Sequence, residues 1–225
     1  QNNIHGVDIN EEAIEITQLN LFLKLATSSQ QLIDLSKNII VGNALVDDPN
    51  IDPIAFEGMK KFEKKIDIIV GNPPYVFGGN SGITVAEKKY FKNKYPFATG
   101  KLNLFSLFIG RSLELLKKNG YLGVITPNSL LRVTSYQGLR KRILNYTKII
   151  KIIDFKSRVF EGVTASTVIT IFQEESNAEI IKKHRVQIMK NISEKPHSKL
   201  QNNFNKKLYI FNLDREENDK IQDKL

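Results

Sequence analysis

The sequence predicts an α/β fold: a mostly parallel sheet with helices on both faces. Three observations predict it. Short runs that are apolar throughout recur along the first three quarters of the 225 residues, and strands covered on both faces read this way. Stretches with helical periodicity alternate with those runs. Polar clusters fall where the runs end, and in open α/β sheets ligands bind outside the carboxyl ends of the strands.

The elements follow in order. Residues 4–9 (IHGVDI) form a short buried strand. Asn10 is placed to cap the next helix, and Glu11 and Glu12 lie where its dipole favours negative charge. Ile14, Leu21 and Leu25 give that helix an apolar side as far as Ala26. Residues 38–44 (NIIVGNA) are a second strand, and residues 66–70 (IDIIV) a third that runs into Gly71-Asn72-Pro73-Pro74-Tyr75. Residues 76–101 hold Gly78, Gly79, Gly82, Gly100, several lysines and aromatics, without strong periodicity. A connection of that length is expected to be functional or disordered. Residues 102–118 carry apolar side chains at 105, 108, 109, 113 and 116, so a helix is expected, with Lys117 and Lys118 in its last turn and Asn119-Gly120 as its stop. Residues 121–125 (YLGVI) are a fourth strand, ending at Thr126-Pro127-Asn128. A basic helix is expected at 135–146, then strands at 149–155 and 166–172, giving the order β-α-β-β-α-β-α-β-β. The expected core is 1–173. Residues 174–225 read as a basic extension leaving the main sheet, with short apolar pieces at 185–192 and 208–213.

Composition narrows the chemistry. With 41% hydrophobic residues the chain can bury a core, and no run approaches the roughly 18 apolar residues of a membrane span. No membrane partner and a cytoplasmic location are therefore expected. With no cysteine there is no disulfide, thiolate site or cysteine nucleophile. His5, His184 and His197 are too scattered to suggest a zinc site, and no metal is expected. The net charge of +9 is uneven: residues 1–86 hold 6 basic and 11 acidic side chains, so the excess lies beyond them. Windows 87–118, 132–158 and 180–207 each hold 8 basic residues against one or two acidic ones. That distribution suits a polyanion binder, and it also suits a lysine-rich solvated surface.

Asn72-Pro73-Pro74-Tyr75 is the sharpest signal. Two prolines fix φ and offer no N–H, and each pushes the residue before it to an extended conformation. The result is a stiff segment rich in acceptors. The Asn72 side-chain oxygen and the Pro73 carbonyl could converge on one amino group, and Tyr75 offers a flat face beside them. That suits a planar ring bearing an exocyclic NH₂. The alternative is a strand terminator followed by a solvent-facing tyrosine.

At these residues the chain resembles a known family. IVGNPPYV is similar to the catalytic motif of S-adenosylmethionine-dependent amino-group methyltransferases. GVDI before a helix resembles their second-strand acidic motif, and VGNAL their third-strand motif. LLKKNGYLGVITPNSLL and DFKSRVFEGVTASTVITIF resemble later motifs of DNA adenine-N6 methyltransferases, closest to the type II restriction–modification group. The resemblance covers roughly residues 4–173.

It implies a Rossmann-like class I methyltransferase sheet and a site-specific DNA adenine-N6 methyltransferase using S-adenosyl-L-methionine. Asp8 would bind the cofactor ribose and Asn43 its adenine, with Ile9 and Ala44 beside them in the cofactor site, although many relatives have an aspartate where Asn43 stands. Asn72, Pro73 and Pro74 would hold the amino group of an adenine swung out of DNA, between Tyr75 on one side and Phe160 on the other. Asp8 also reads as a helix cap, Asn43 as a loop residue and Phe160 as core. Residues 174–225 would begin a target-recognition region.

The family has a first strand and Gly-rich turn ahead of the acidic motif, and only seven residues precede Asp8 here. The first residue is Gln1, so an internal fragment is expected, itself inactive, with an incomplete N-terminus, weak cofactor binding and an unfilled place beside residues 66–70 through which copies could associate. An RNA adenine or protein glutamine methyltransferase, and an inactive nucleic-acid-binding module, are the alternatives.

Overall fold

A computed structural model describes residues 4–26, 34–57, 62, 65–76, 82–98, 100–155, 166–190 and 209–213. The chain forms two compact units, Gln1–Lys61 and Phe62–Leu225.

In the first unit, β1 (Gly6–Asp8) and β2 (Ile39–Val41) pair in parallel, Gly6 beside Ile39 and Asp8 beside Val41. The crossover between them holds α1 (Glu11–Ala26). Asn10 starts α1 as expected, its side-chain oxygen accepting from the Ala13 N–H at 3.0 Å. Ile14, Ile39, Leu45 and Val46 are buried. The Gln18 amide reaches back to the Ile39 carbonyl at 2.7 Å and ties α1 to β2.

The second unit is a six-stranded mixed sheet. Its elements are β3 (Ile66–Gly71), α2 (Val85–Lys94), α3 (Leu104–Leu115), β4 (Leu116–Pro127), α4 (Gln137–Tyr146), β5 (Thr147–Asp154), β6 (Thr167–Glu174), α5 (Ala178–Lys183), β7 (Val186–Lys190) and β8 (Tyr209–Leu213). The strand order is β3-β4-β6-β5-β7-β8. β3 with β4 and β5 with β7 run parallel, while β6 is antiparallel to both its neighbours. β3 is an edge strand, with Ile68 and Val70 66% and 78% exposed. The core gathers under α3, where Phe105, Leu107, Ile109 and Leu116 are fully buried.

Three expectations are corrected. First, residues 76–101 are not all connection: Thr84 opens α2 through a capping box, its hydroxyl accepting from the Glu87 N–H at 3.1 Å and its own N–H donating to the Glu87 carboxylate at 2.7 Å. Second, Lys117 and Lys118 do not close a helix. α3 stops at Leu115, Leu116 is already extended, and Lys117 pairs with Asp67 on β3. The Asn119-Gly120 break lies at the entrance of β4 instead, where Asn119 takes φ 64°. A Cβ on Gly120 would lie 2.9 Å from the Ile66 carbonyl oxygen, so the backbones can meet only because none is there. Third, the pieces at 185–192 and 208–213 do not leave the sheet. β7 extends it beside β5, and β8 pairs with β7. Both are short, and strand partners far apart in sequence leave no local periodicity to read.

Candidate functional site

In the second unit, the chain leaves β3 at Gly71 and enters the proline segment. Asn72 and Pro74 are exposed, Pro73 is buried and Tyr75 is half-buried. Two ties hold the segment in place. The Tyr75 hydroxyl donates to the Ile125 carbonyl of β4 at 3.3 Å, and the Leu104 N–H, in the first turn of α3, donates to the Val76 carbonyl at 3.0 Å. Burial pushes the Tyr75 phenol pKa up, so the ring stays neutral. The Asn72 side chain, on a backbone fixed by the following prolines, is left facing solvent.

The support beneath α3 was not singled out from the sequence. Asn103, fully buried, caps α3 by accepting from the Phe105 N–H at 3.2 Å. Tyr136 is buried with its ring edge-on to Phe105, centroids 4.9 Å apart. Burial raises the Tyr136 phenol pKa, partly offset by hydrogen bonds with Asn103 and Ser129. An asparagine two residues before an apolar periodic run is a helix-start signal and could have marked Asn103. Nothing local to Tyr136 announces its role.

In the first unit, Asp8 and Asn43 lie at the carboxyl ends of adjacent parallel strands, with the Gly42 N–H donating to the Asp8 carbonyl at 2.8 Å. The exposed Asp8 carboxylate uses Oδ1 to accept from the Asn10 N–H at 2.8 Å, and among the described residues Oδ2 has no hydrogen-bond partner. Ile9 is 65% exposed beside it, and Ala44 is half-buried. The Asn43 amide is largely committed. Its Nδ2 donates to Asp52 Oδ2 at 2.7 Å and its Oδ1 accepts from the Leu45 N–H at 3.0 Å, which leaves one N–H to offer. The donor set fits a nucleoside: a free carboxylate oxygen for a diol, an apolar side chain for a base, and an amide N–H for a ring nitrogen. Phe160 lies outside the described residues.

Among the described residues no group of three or more His, Asp or Glu side chains could hold a metal ion, and no helix is long and apolar enough to cross a membrane. Beyond the proline segment α2 presents Lys89 and Lys92 to solvent, while Lys94 lies 2.8 Å from the Tyr90 hydroxyl.

A profile of the Eco57I restriction-modification methylase family matches residues 2–160, well over half of the chain. The chain belongs to the Eco57I restriction-modification methylase family. It is 30% identical over 189 residues to the type II restriction enzyme and methyltransferase RM.Eco57I of Escherichia coli, a match that takes in 77% of this chain and 19% of that protein. The chain thus spans about a fifth of that relative. Among solved structures it is similar to DrdV in a complex with DNA, with TM-score 0.63 and 16% identity over 85% of this chain and 21% of that one. It also resembles a putative class I S-adenosylmethionine-dependent methyltransferase from Listeria monocytogenes, with TM-score 0.51 and 15% identity over 86% and 60% of the two chains. At such identities the likeness is one of fold, and it supports the class I methyltransferase architecture for this Eco57I-family chain.

Proposed function

We propose that this chain forms part of the methyltransferase core of a site-specific DNA adenine-N6 methyltransferase in a restriction–modification enzyme. The observation that carries the reading is the proline segment at the carboxyl end of β3, with Asn72 exposed and Tyr75 fixed by its hydroxyl to Ile125. Membership of the Eco57I family and the likeness to proteins solved with DNA support it.

The chemistry follows from the residue types. An aromatic amine is a weak nucleophile because its lone pair is delocalised into the ring. Asn72 Oδ1 and the Pro73 carbonyl, accepting its two hydrogens, favour a pyramidal nitrogen with its lone pair available. Tyr75 stacks on the ring, a contact worth about 1–3 kcal/mol per base, which offsets the few kcal/mol needed to take the base out of its stack. Phe160 is assigned the opposite face of the base. Asp8 and Ile9 hold the cofactor ribose, and Asn43 and Ala44 its adenine. S-adenosyl-L-methionine, when bound, supplies an electrophilic methyl group on a sulfonium. Positioning and electrostatics by these side chains carry the catalysis.

The basic residues of α2 and of the later windows meet the DNA backbone, and residues 174–225, which add β7 and β8 to the sheet, contribute to target recognition. The edge of β3 is the surface through which copies would associate. The test is product analysis. Duplex DNA incubated with the full-length parent of this chain and isotopically labelled S-adenosylmethionine, then digested to nucleosides, should yield labelled N6-methyladenine. Label confined to cytosine, to RNA or to protein would overturn the assignment.

A further inference from the structure

α4 packs across β5, β6 and β7, and beneath it lies a cavity of about 190 Å³. Leu130, Ile143, Ile152, Phe172, Val186 and Ile188 are among the apolar side chains of its wall. One row of the sheet crosses it: Thr170 of β6 pairs with Ile152 of β5, which pairs with Ile188 of β7. Thr170 is out of place in that row. It is 1% exposed, and its hydroxyl has no hydrogen-bond partner. A valine would fill the same space without leaving a polar atom unsatisfied.

The mouth is charged in one sense. Gln137, Arg140 and Lys141 line it, and among the described residues no carboxylate does. Arg140 Nη1 is committed to the carbonyls of Leu130 and Val133, at 3.0 and 2.8 Å, which fixes the guanidinium in place, and among the described residues Nε and Nη2 have no acceptor. Partial burial draws the Arg140 pKa down from its ordinary value, yet the group stays cationic at neutral pH.

We infer that this cavity is a binding site for a compact amphipathic anion, an apolar body of about six to eight carbons ending in a carboxylate. The size follows from the volume, since an apolar cavity of about 150 Å³ accommodates benzene. The charge follows from Arg140 and Lys141 at the mouth. Thr170 supplies a hydrogen bond that the apolar wall lacks. Apolar lining with a few convergent polar groups is the usual make-up of a small-molecule site. The site is built wholly within the second unit and does not depend on the methyl-transfer reading.

The test uses the 225-residue chain and three probes: octanoate, its neutral counterpart octanol, and inorganic phosphate, each titrated by calorimetry. Octanoate should bind one-to-one and about tenfold more tightly than octanol, and phosphate should not bind. Arg140→Gln should bring octanoate down to the affinity of octanol, and Ile188→Phe, which fills the cavity, should abolish both. Thr170→Val keeps the shape and guards against a variant that fails to fold. It should raise the unfolding midpoint of the free protein while weakening octanoate. Absence of octanoate binding, equal affinity for octanoate and octanol, or octanoate binding that survives Ile188→Phe in folded protein would each overturn the inference.

Discussion

Gly110 lies in the middle of α3, where helix propensity alone says alanine should be better by about 1 kcal/mol. The packing says the opposite. A Cβ built on Gly110 would fall 1.9 Å from Phe97 Cζ and within 2.7 Å of both Cε atoms. Ordinary contact begins at 3.4 Å, so the ring would have to retreat by about 1.5 Å. It has little room to do so. Phe97 is 8% exposed, packs against Tyr95 with centroids 5.8 Å apart, and carries the Arg142 guanidinium 5.3 Å from its ring centre. Overpacking of this kind costs about 1–3 kcal/mol, more when the neighbour is rigid. With the propensity gain set against the upper end of that range, Gly110→Ala should lose about 2 kcal/mol. In a chain of this size that is a fall of about 4–8 °C in the unfolding midpoint. The assay is thermal unfolding followed by circular dichroism, repeated in a Phe97→Leu background. There the smaller side chain should recover about 1 kcal/mol or more of the loss as coupling between the two sites. A midpoint that rises in Gly110→Ala would refute the reasoning. The contact bears on function because α3, through the Leu104 N–H, holds the end of the proline segment.

Two further predictions concern the surroundings of that segment. Thr84→Ala removes the hydroxyl that accepts from the Glu87 N–H, leaving only the Thr84 N–H to Glu87 carboxylate bond of the α2 capping box, and should cost about 1 kcal/mol, read as faster amide exchange confined to α2; unchanged exchange there would count against the cap. Tyr136 has a folded-state pKa above its ordinary 10.0, because burial disfavours the phenolate. The stability this contributes is complete below pH 10 and lost as pH rises through the folded pKa. Alkaline unfolding should therefore steepen above pH 10, and Tyr136→Phe should flatten that limb; an unaltered limb would contradict the shift.

The parts of the fold that could be read from sequence are those whose signal is local. Apolar runs marked β1 to β6 because a run that is apolar throughout can be seen without partner information, although the expected burial is not met in β1 and β3, whose side chains are half-buried or exposed, and Asn10 marked the start of α1. The helix α2 carried its own signature in Thr84-Val85-Ala86-Glu87, but the glycines around it drew the reading toward a loop. β7 and β8 were hidden because their place in the sheet is decided by strands far away in sequence. The site divides in the same way. Asp8, Asn43 and Asn72 to Tyr75 stand at strand ends that periodicity locates. The Ile125 carbonyl that anchors Tyr75, the Asp52 carboxylate that orients Asn43, and the Tyr136 ring beneath α3 are tertiary contacts, and no spacing in the sequence encodes them.

The central claim is that Asn72 and the prolines after it grip the amino group of an extrahelical adenine. Single-turnover methyl transfer to a duplex carrying the target adenine, at saturating cofactor, compares wild type with Asn72→Ala most directly. Loss of one preorganised polar contact to the reacting group should slow transfer by about 10²–10³ while DNA affinity stays unchanged. Transfer at the wild-type rate by the alanine variant would contradict the account.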